Sequence, residues 1–370
     1  MTSTAKHSTA QRRKVIIWGP GALGQACIRE IAKMPELELV GVLAFSPEKD
    51  GIDAGELVGL PSMGITMTTD KDKIIRLDAE VVLHCAAAIP DYRAYDEDVI
   101  ALLESGKNVV SAAAYFYPQA HGADYAATLD TACKKGGASL HGTGVNPGLL
   151  LERMAVTATA LSNRVSFIRG REATECRRVQ STAFMTAFGF GQNPDDVDAE
   201  NGPVAELTNR YFKEALEFLA VTVFDRPLDR IEREHHFTLA DEDFDVASMT
   251  IKKGHISTVQ YVYQGIIDDT PRIRLEQHWY QLPEHKTVDH ATSAHYMDVE
   301  VEGEPCSMRL RFDTFASAKD ETDRIEGDPT MLTFYAVAAL MFQAIPVTCN
   351  AHPGLVPPHV FAHHIPDYSV

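Results

Sequence analysis

Apolar positions change their period about 40% of the way along the chain, and that change divides it. From Lys14 to about residue 141, short apolar runs alternate with amphipathic stretches. The runs predict strands at 14–18, 38–44, 80–85, 107–111 and 138–141, and the stretches between them predict helices at 22–33, 93–105 and 121–135. Gly106 follows the helix end at Ser105 as a C-cap before the next strand restarts at Lys107. Alternation with short links predicts an α/β architecture with a parallel, doubly wound sheet. After about residue 148 the pattern is different. A helix (149–161), a strand-like stretch (164–171), a polar Asp-rich segment (192–202) and a second helix (203–221) precede long runs at 255–267, 271–282, 295–302 and 306–315. Gln260–Gln264 and Arg309–Phe312 alternate with period two, as in a sheet with one wet face. These runs predict an α+β domain with an open-faced antiparallel sheet and helices on one side. A charged loop (317–328) leads to Pro329 at the first position of a final apolar helix that packs back on the first domain. The expected organisation is a tail (1–13), a first domain (14–148), a substrate and dimerisation domain (149–328) and a C-terminal helix and tail (329–370).

The first predicted strand runs directly into Gly19-Pro-Gly21-Ala22-Leu23-Gly24 and then into a helix. This strand–G-x-G-x-x-G–helix context is the Rossmann dinucleotide fingerprint. Gly19 permits the tight turn, Gly21 the close approach of a pyrophosphate, and Gly24 the packing of helix on strand. The helix N-terminus offers free N–H groups and a positive dipole end. An acidic residue selective for NAD is expected at the end of the second strand. That stretch reads Leu43-Ala-Phe-Ser46-Pro-Glu48-Lys49, with no carboxylate at its first positions. Ser46 and Lys49 suit a 2′-phosphate. NADPH is therefore the expected cofactor, with NAD possible because Glu48 reaches a ribose if the loop curls. Ala86, just past the third strand, is also expected beside the cofactor.

Composition narrows the class. A net charge of -18 argues against nucleic acid and against an anionic membrane surface. Six scattered cysteines without a C-x-x-C pair suit reduced thiols in a cytoplasmic protein. Residues 1–13 are polar, without the apolar core of a signal peptide, and the run Met331–Val347 reads as a buried core helix. No metal is expected: prolines break up the histidines at 352, 359, 363 and 364, and His235-His236 stand without ligand spacing.

A second glycine-rich bend, His141-Gly-Thr-Gly-Val-Asn146-Pro-Gly148, closes the first domain and opens a helix at Leu149-Leu-Leu-Glu152. Asn146 suits a nicotinamide amide or a polar substrate group. Together with Leu39–Lys49, Asp53–Leu57 and Phe188–Gly191, these motifs resemble the dihydrodipicolinate-reductase-like superfamily. The nearest branch is that of 2,4-diaminopentanoate dehydrogenase and the native amine dehydrogenases. The resemblance implies a nicotinamide-dependent enzyme, often a homodimer. Its implied chemistry is hydride exchange at a C–N carbon of a small apolar substrate, in amine oxidation or reductive amination. In the amine dehydrogenases a strand-end glutamate handles ammonia; the matching stretch here, Val109–Pro118, carries no carboxylate.

Four residues are candidates for the missing acid: Tyr115 and Tyr117 after the same strand, His141 at the next strand end, and Glu152 at the following helix. Glu172 and Glu175, at the end of the first strand of the second domain, read first as a solvated edge and second as residues lining the cleft. Two alternatives stay open: a carbonyl reductase in which a tyrosine protonates the alkoxide without ammonia, and an NADPH-binding protein without catalysis.

Overall fold

The computed structural model describes residues 12–87, 93–198, 201–282 and 293–358. The first domain is built from β1 (Arg13–Trp18), α1 (Ala22–Ile31), β2 (Leu37–Leu43), α2 (Ala54–Leu57), α3 (Lys71–Ile75), β3 (Val81–His84), α4 (Asp96–Glu104), β4 (Asn108–Ser111), α5 (Ala123–Gly136) and β5 (Ser139–Gly142). Its strands pair in parallel in the order β5-β4-β3-β1-β2. Both faces are covered, so β3 and β5 are buried along their whole length. Val15 and Ile17 pack toward α1, while Ile16 and Trp18 pack toward α4 and α5.

The second domain opens on a π-helical segment, Leu150–Ala155, continued by α6 (Val156–Ala158). The amides of Leu150 and Met154 bond carbonyls five residues back, at Val145 and Leu149. The regular helix expected over 149–161 is thus a composite, and π segments of this kind cluster at functional sites. Then follow β6 (Ser162–Glu175), α7 (Thr182–Ala187), α8 (Pro203–Phe224), β7 (Arg230–Leu239), β8 (Phe244–Asp245), β9 (Thr250–Ile251), β10 (Ile256–Ile267), β11 (Thr270–Tyr280), β12 (His295–Pro305) and β13 (Met308–Asp313). The large sheet has the order β13-β12-β6-β11-β10-β7. It is mixed and not purely antiparallel, because β6 and β11 run parallel. The long excursion through α8 gives the chain the crossover that parallel pairing requires. The sequence pattern missed β7: it is a charged, mostly exposed edge strand with little apolar alternation.

The last helix, α9 (Leu332–Cys349), packs on α1, β4 and β5, and β14 (Gly354–Leu355) then joins the first sheet beside β5. Met341, Phe342 and Ile345 enter the core of the first domain, while Val337 and Leu340 touch that of the second. Because α9 is wedged between two apolar cores, it is apolar on most sides, with a mean hydropathy of 1.7.

Candidate active site

The glycine turn has the shape a dinucleotide needs. Gly19 has φ +103°, and a Cβ there would sit 3.1 Å from the Cys85 carbonyl and 3.2 Å from the Ala86 amide. A Cβ on Gly24 would fall 2.2 Å from the Gly19 carbonyl oxygen, so only glycine lets α1 lie against the turn. Gly21 caps α1, and its missing side chain leaves open space in front of the helix N-terminus. No acidic side chain occupies the first turn of α1. The residues present therefore fit a pyrophosphate on the helix dipole. Lys49 lies over this turn and donates to the Pro20 carbonyl at 2.9 Å. Glu48 is turned to its own backbone and to Ser46, which hold its carboxyl below the usual range.

Beyond β4 and β5 the two domains enclose a cavity of about 200 Å³. Phe116, Phe184, Phe188, Tyr211 and Trp279 make most of its wall, and Ala112 and the Gly144–Pro147 bend face it from the nucleotide side. Its volume suits a small substrate. At its floor lies Glu172, only 5% exposed and the one carboxylate among the described residues that line the cavity. Three segments converge on it. Asn146 Nδ2 donates to Oε2 at 2.9 Å, Gln277 Nε2 to the same oxygen at 3.2 Å, and His295 Nε2 lies 3.2 Å from Oε1. Sheet register explains the convergence: Gln277 sits directly opposite Glu172 across the parallel pair, and His295 lies diagonally on the other side of β6. Burial raises the Glu172 pKa, but His295, Asn146 and Gln277 together outweigh it and hold the carboxyl below the ordinary carboxylate range.

Glu172 is therefore a buried cavity residue, a correction to the solvated edge expected for it. The period of two separates it from its charged neighbours. Arg171 and Arg169 point to the other face of β6, where they pair with Asp298 (2.6 Å) and Glu300. Tyr211, Gln277 and Trp279 carried no local motif and were not anticipated. Their signal is tertiary: with Asn146 and Thr174 they hold buried polar atoms that have no partner among the described residues. Such atoms mark a ligand or water site.

The expected acids lie elsewhere. Tyr115, at φ +71°, turns away between the cavity residues Ala112 and Phe116, and its hydroxyl donates to Asp96 at 2.9 Å. Its backbone lies so close to Gly142 that a Cβ there would come within 2.4 Å. Tyr117 stacks edge-on against Phe218. His141 donates from Nδ1 to the Val356 carbonyl (2.8 Å) and meets Arg153 at Nε2 (3.2 Å), and burial lowers its pKa to about 4. A ring neutral and engaged at both nitrogens is no proton donor here. Glu152 is fully buried but does not line the cavity, and burial drives its carboxyl up to about 7. Of the expected polar site residues, Asn146 alone reaches the cavity. Among the described residues no cluster has the makings of a metal site; His359 and His363 lie outside them, and His235 and His236 stand on the exposed edge strand β7.

Glu152 has a consequence for stability. Its folded pKa lies above the unfolded one, so it favours folding at low pH, and that contribution is lost as pH rises from about 4.5 through about 7. Glu152→Gln is expected to raise the unfolding free energy by about 2 kcal/mol at pH 8 and to do little at pH 4. Denaturant melts at the two pH values measure this; equal shifts at both would contradict it.

Comparison with known proteins agrees with this architecture. The family "Dihydrodipicolinate reductase, N-terminus" matches residues 13–114. An amine dehydrogenase of Streptomyces virginiae is 26% identical over 70% of this chain and 73% of its own length. The 2,4-diaminopentanoate dehydrogenase of Acetoanaerobium sticklandii is 29% identical over 44% of this chain and 46% of its own. Among solved structures, an amine dehydrogenase from Mycobacterium smegmatis superposes with a TM-score of 0.75 at 19% identity, covering 98% of this chain and 99% of that one. GenD2 from gentamicin A biosynthesis, in complex with NAD, gives 0.51 at 12% identity, covering 92% and 89%. The resemblance expected from the motifs is present, and so is the two-domain fold. The glycine turn, the interdomain cavity and these relatives define a dinucleotide-dependent oxidoreductase. Its likeness to amine and diaminopentanoate dehydrogenases extends beyond the nucleotide domain.

Proposed function

We propose that this chain is an NADPH-preferring amine dehydrogenase that interconverts a small apolar ketone or aldehyde and its amine. One observation carries the reading: unpartnered acceptor oxygens gather around the Glu172 carboxylate at the cavity floor. A carboxylate only accepts, so Asn146 and Gln277 must turn their NH₂ groups to Glu172. That leaves Asn146 Oδ1 and Gln277 Oε1 without partners, beside the unpartnered Thr174 Oγ1. Of the four acceptor sites of the carboxylate, three are taken and one is free. Such an array suits the N–H groups of ammonium or an iminium, while the unpartnered Tyr211 hydroxyl and Trp279 Nε1–H leave donors in the same cavity for a carbonyl oxygen. Glu172 thus takes the place of the carboxylate missing from Val109–Pro118.

When bound, the nicotinamide supplies or takes the hydride. Asn146, between the nucleotide site and the cavity, orients the reacting partners. Glu172 holds the ammonium, takes its proton and balances the positive iminium. The aromatic wall excludes water, which strengthens that charge pairing. With no Lys or Arg among the described residues of its lining, the cavity favours substrates without a carboxylate.

The test is dinucleotide oxidation with a panel of small ketones and aldehydes, with and without ammonium. Ammonium-dependent turnover is expected; turnover indifferent to ammonium would instead identify a carbonyl reductase. For the cofactor, Lys49→Ala is expected to weaken NADPH about tenfold and NADH hardly at all, because only NADPH carries the phosphate. Equal losses for both, in fluorescence titrations, would remove Lys49 from the selectivity.

A further inference from the structure

The buried carboxylate is connected through the sheet to a second, outer pocket. His295, 4% exposed, faces Glu172 with Nε2 at 3.2 Å, and its Nδ1 lies 3.4 Å from Thr314 Oγ1. The same ring lines a separate pocket of about 20 Å³ with Glu175, Arg178, Thr314 and Asp323. That volume holds about one water. Arg178 and Asp323, 3.6 Å apart, have side chains 23% and 30% exposed, so this pocket reaches the surface. His295 thus stands between Glu172, which lines the apolar cavity, and this outer pocket. The charged groups around it are Glu172 on the cavity side, Glu175, Arg178 and Asp323 on the outer side, and Asp313, reached through Ser293, whose hydroxyl bonds both the His295 carbonyl and Asp313.

Amine oxidation needs such a connection. The ammonium substrate gives a hydride from its carbon to the nicotinamide, water supplies the carbonyl oxygen, and nitrogen leaves as ammonium. One proton remains per turnover, released within an apolar cavity. We propose that His295 carries this proton between Glu172 and the outer pocket, in either direction of the reaction; the proposal rests on the amine-handling role given to Glu172 above. With the ring in its Nδ1–H tautomer, the proton accepted by Glu172 passes to Nε2 of His295, which then donates back to the restored carboxylate. The imidazolium releases its Nδ1 proton through Thr314 Oγ1 to water, and exchange with solvent resets the ring. Reductive amination runs the same steps inward.

The variant to make is His295→Gln, which keeps an N–H donor for Glu172 but cannot relay a proton. Expected are a fall in kcat of about 100-fold, unchanged KM and dinucleotide Kd, an altered pH profile and a larger solvent deuterium isotope effect on kcat. Thr314→Val, which removes only the outer step, should lower kcat about tenfold with the same isotope signature. A readout independent of turnover is the NMR titration of the histidine-labelled protein, in which the His295 midpoint moves when Glu172→Gln is introduced. If the wild type reduces carbonyls without ammonium, the amination reading falls. A proton must still enter, so the same loss in His295→Gln would sustain the relay. Wild-type kcat, pH profile and isotope effect in both variants, or a His295 titration indifferent to Glu172→Gln, would overturn it.

Discussion

Glu172→Gln is expected to lower kcat/KM for ammonium-dependent turnover by about 1,000-fold, roughly 4 kcal/mol of transition-state stabilisation. The size follows from where the carboxylate sits. It is the one carboxylate among the described residues that line the cavity, it is buried, and its hydrogen bonds keep it charged. An amide there removes the base and the counter-charge together. Its carbonyl oxygen can still accept from Asn146 and Gln277 while its NH₂ group faces His295 Nε2, so the loss reports charge and basicity and not packing. Dinucleotide affinity should change by less than about twofold, because the glycine turn lies outside the cavity lining. Steady-state kinetics with a fluorescence titration of NADPH separates the two effects. A variant retaining more than about a tenth of wild-type kcat/KM would remove Glu172 from the chemistry.

The second large effect distinguishes two glycines of one motif. Gly21→Val is expected to abolish dinucleotide binding while leaving the melting temperature within about 2 °C of wild type. Gly21 has φ -75°, which any residue adopts, and a Cβ there meets nothing within 4 Å, so the apo protein tolerates a side chain. The branched chain then fills the space in front of the α1 N-terminus that a pyrophosphate requires. Gly24→Val should fail differently. Its Cβ would lie 2.2 Å from the Gly19 carbonyl oxygen, a backbone atom that cannot step aside. Displacing α1 from its sheet should cost about 3 kcal/mol and lower the melting temperature by several degrees. Thermal melts with NADPH titrations test both. Normal NADPH binding by Gly21→Val would show that the dinucleotide lies elsewhere.

The glycine turn and the acid site differ in how far a local reading reaches. The turn occupies six consecutive residues, and its function depends on backbone geometry that glycine spacing specifies directly. The parallel sheet around it follows from the same local alternation. Tyr115, His141 and Glu152 were reasonable candidates because each follows a strand end near the expected nicotinamide. A strand end, however, does not say which way a side chain turns. Tyr115 is committed to Asp96 by its positive φ, His141 to Val356 and Arg153, and Glu152 to the buried interior.

By itself, then, the sequence determined the nucleotide domain, its glycine turn, the change to a second sheet and the absence of a carboxylate after β4. Each is written in contiguous residues whose periodicity or backbone freedom acts locally. Only the tertiary structure decided what replaces that carboxylate. Glu172 stands in the run Arg-Glu-Ala-Thr-Glu, which looks like a solvated edge until the pleat sends Arg171 and Glu172 to opposite faces. Its partners come from a bend 26 residues away and from strands 105 and 123 residues away. The parallel pairing of β6 with β11 sets Gln277 beside it, and the antiparallel pairing with β12 sets His295. Strand register is a property of the folded sheet, and no local pattern along the chain encodes which residues it will bring together.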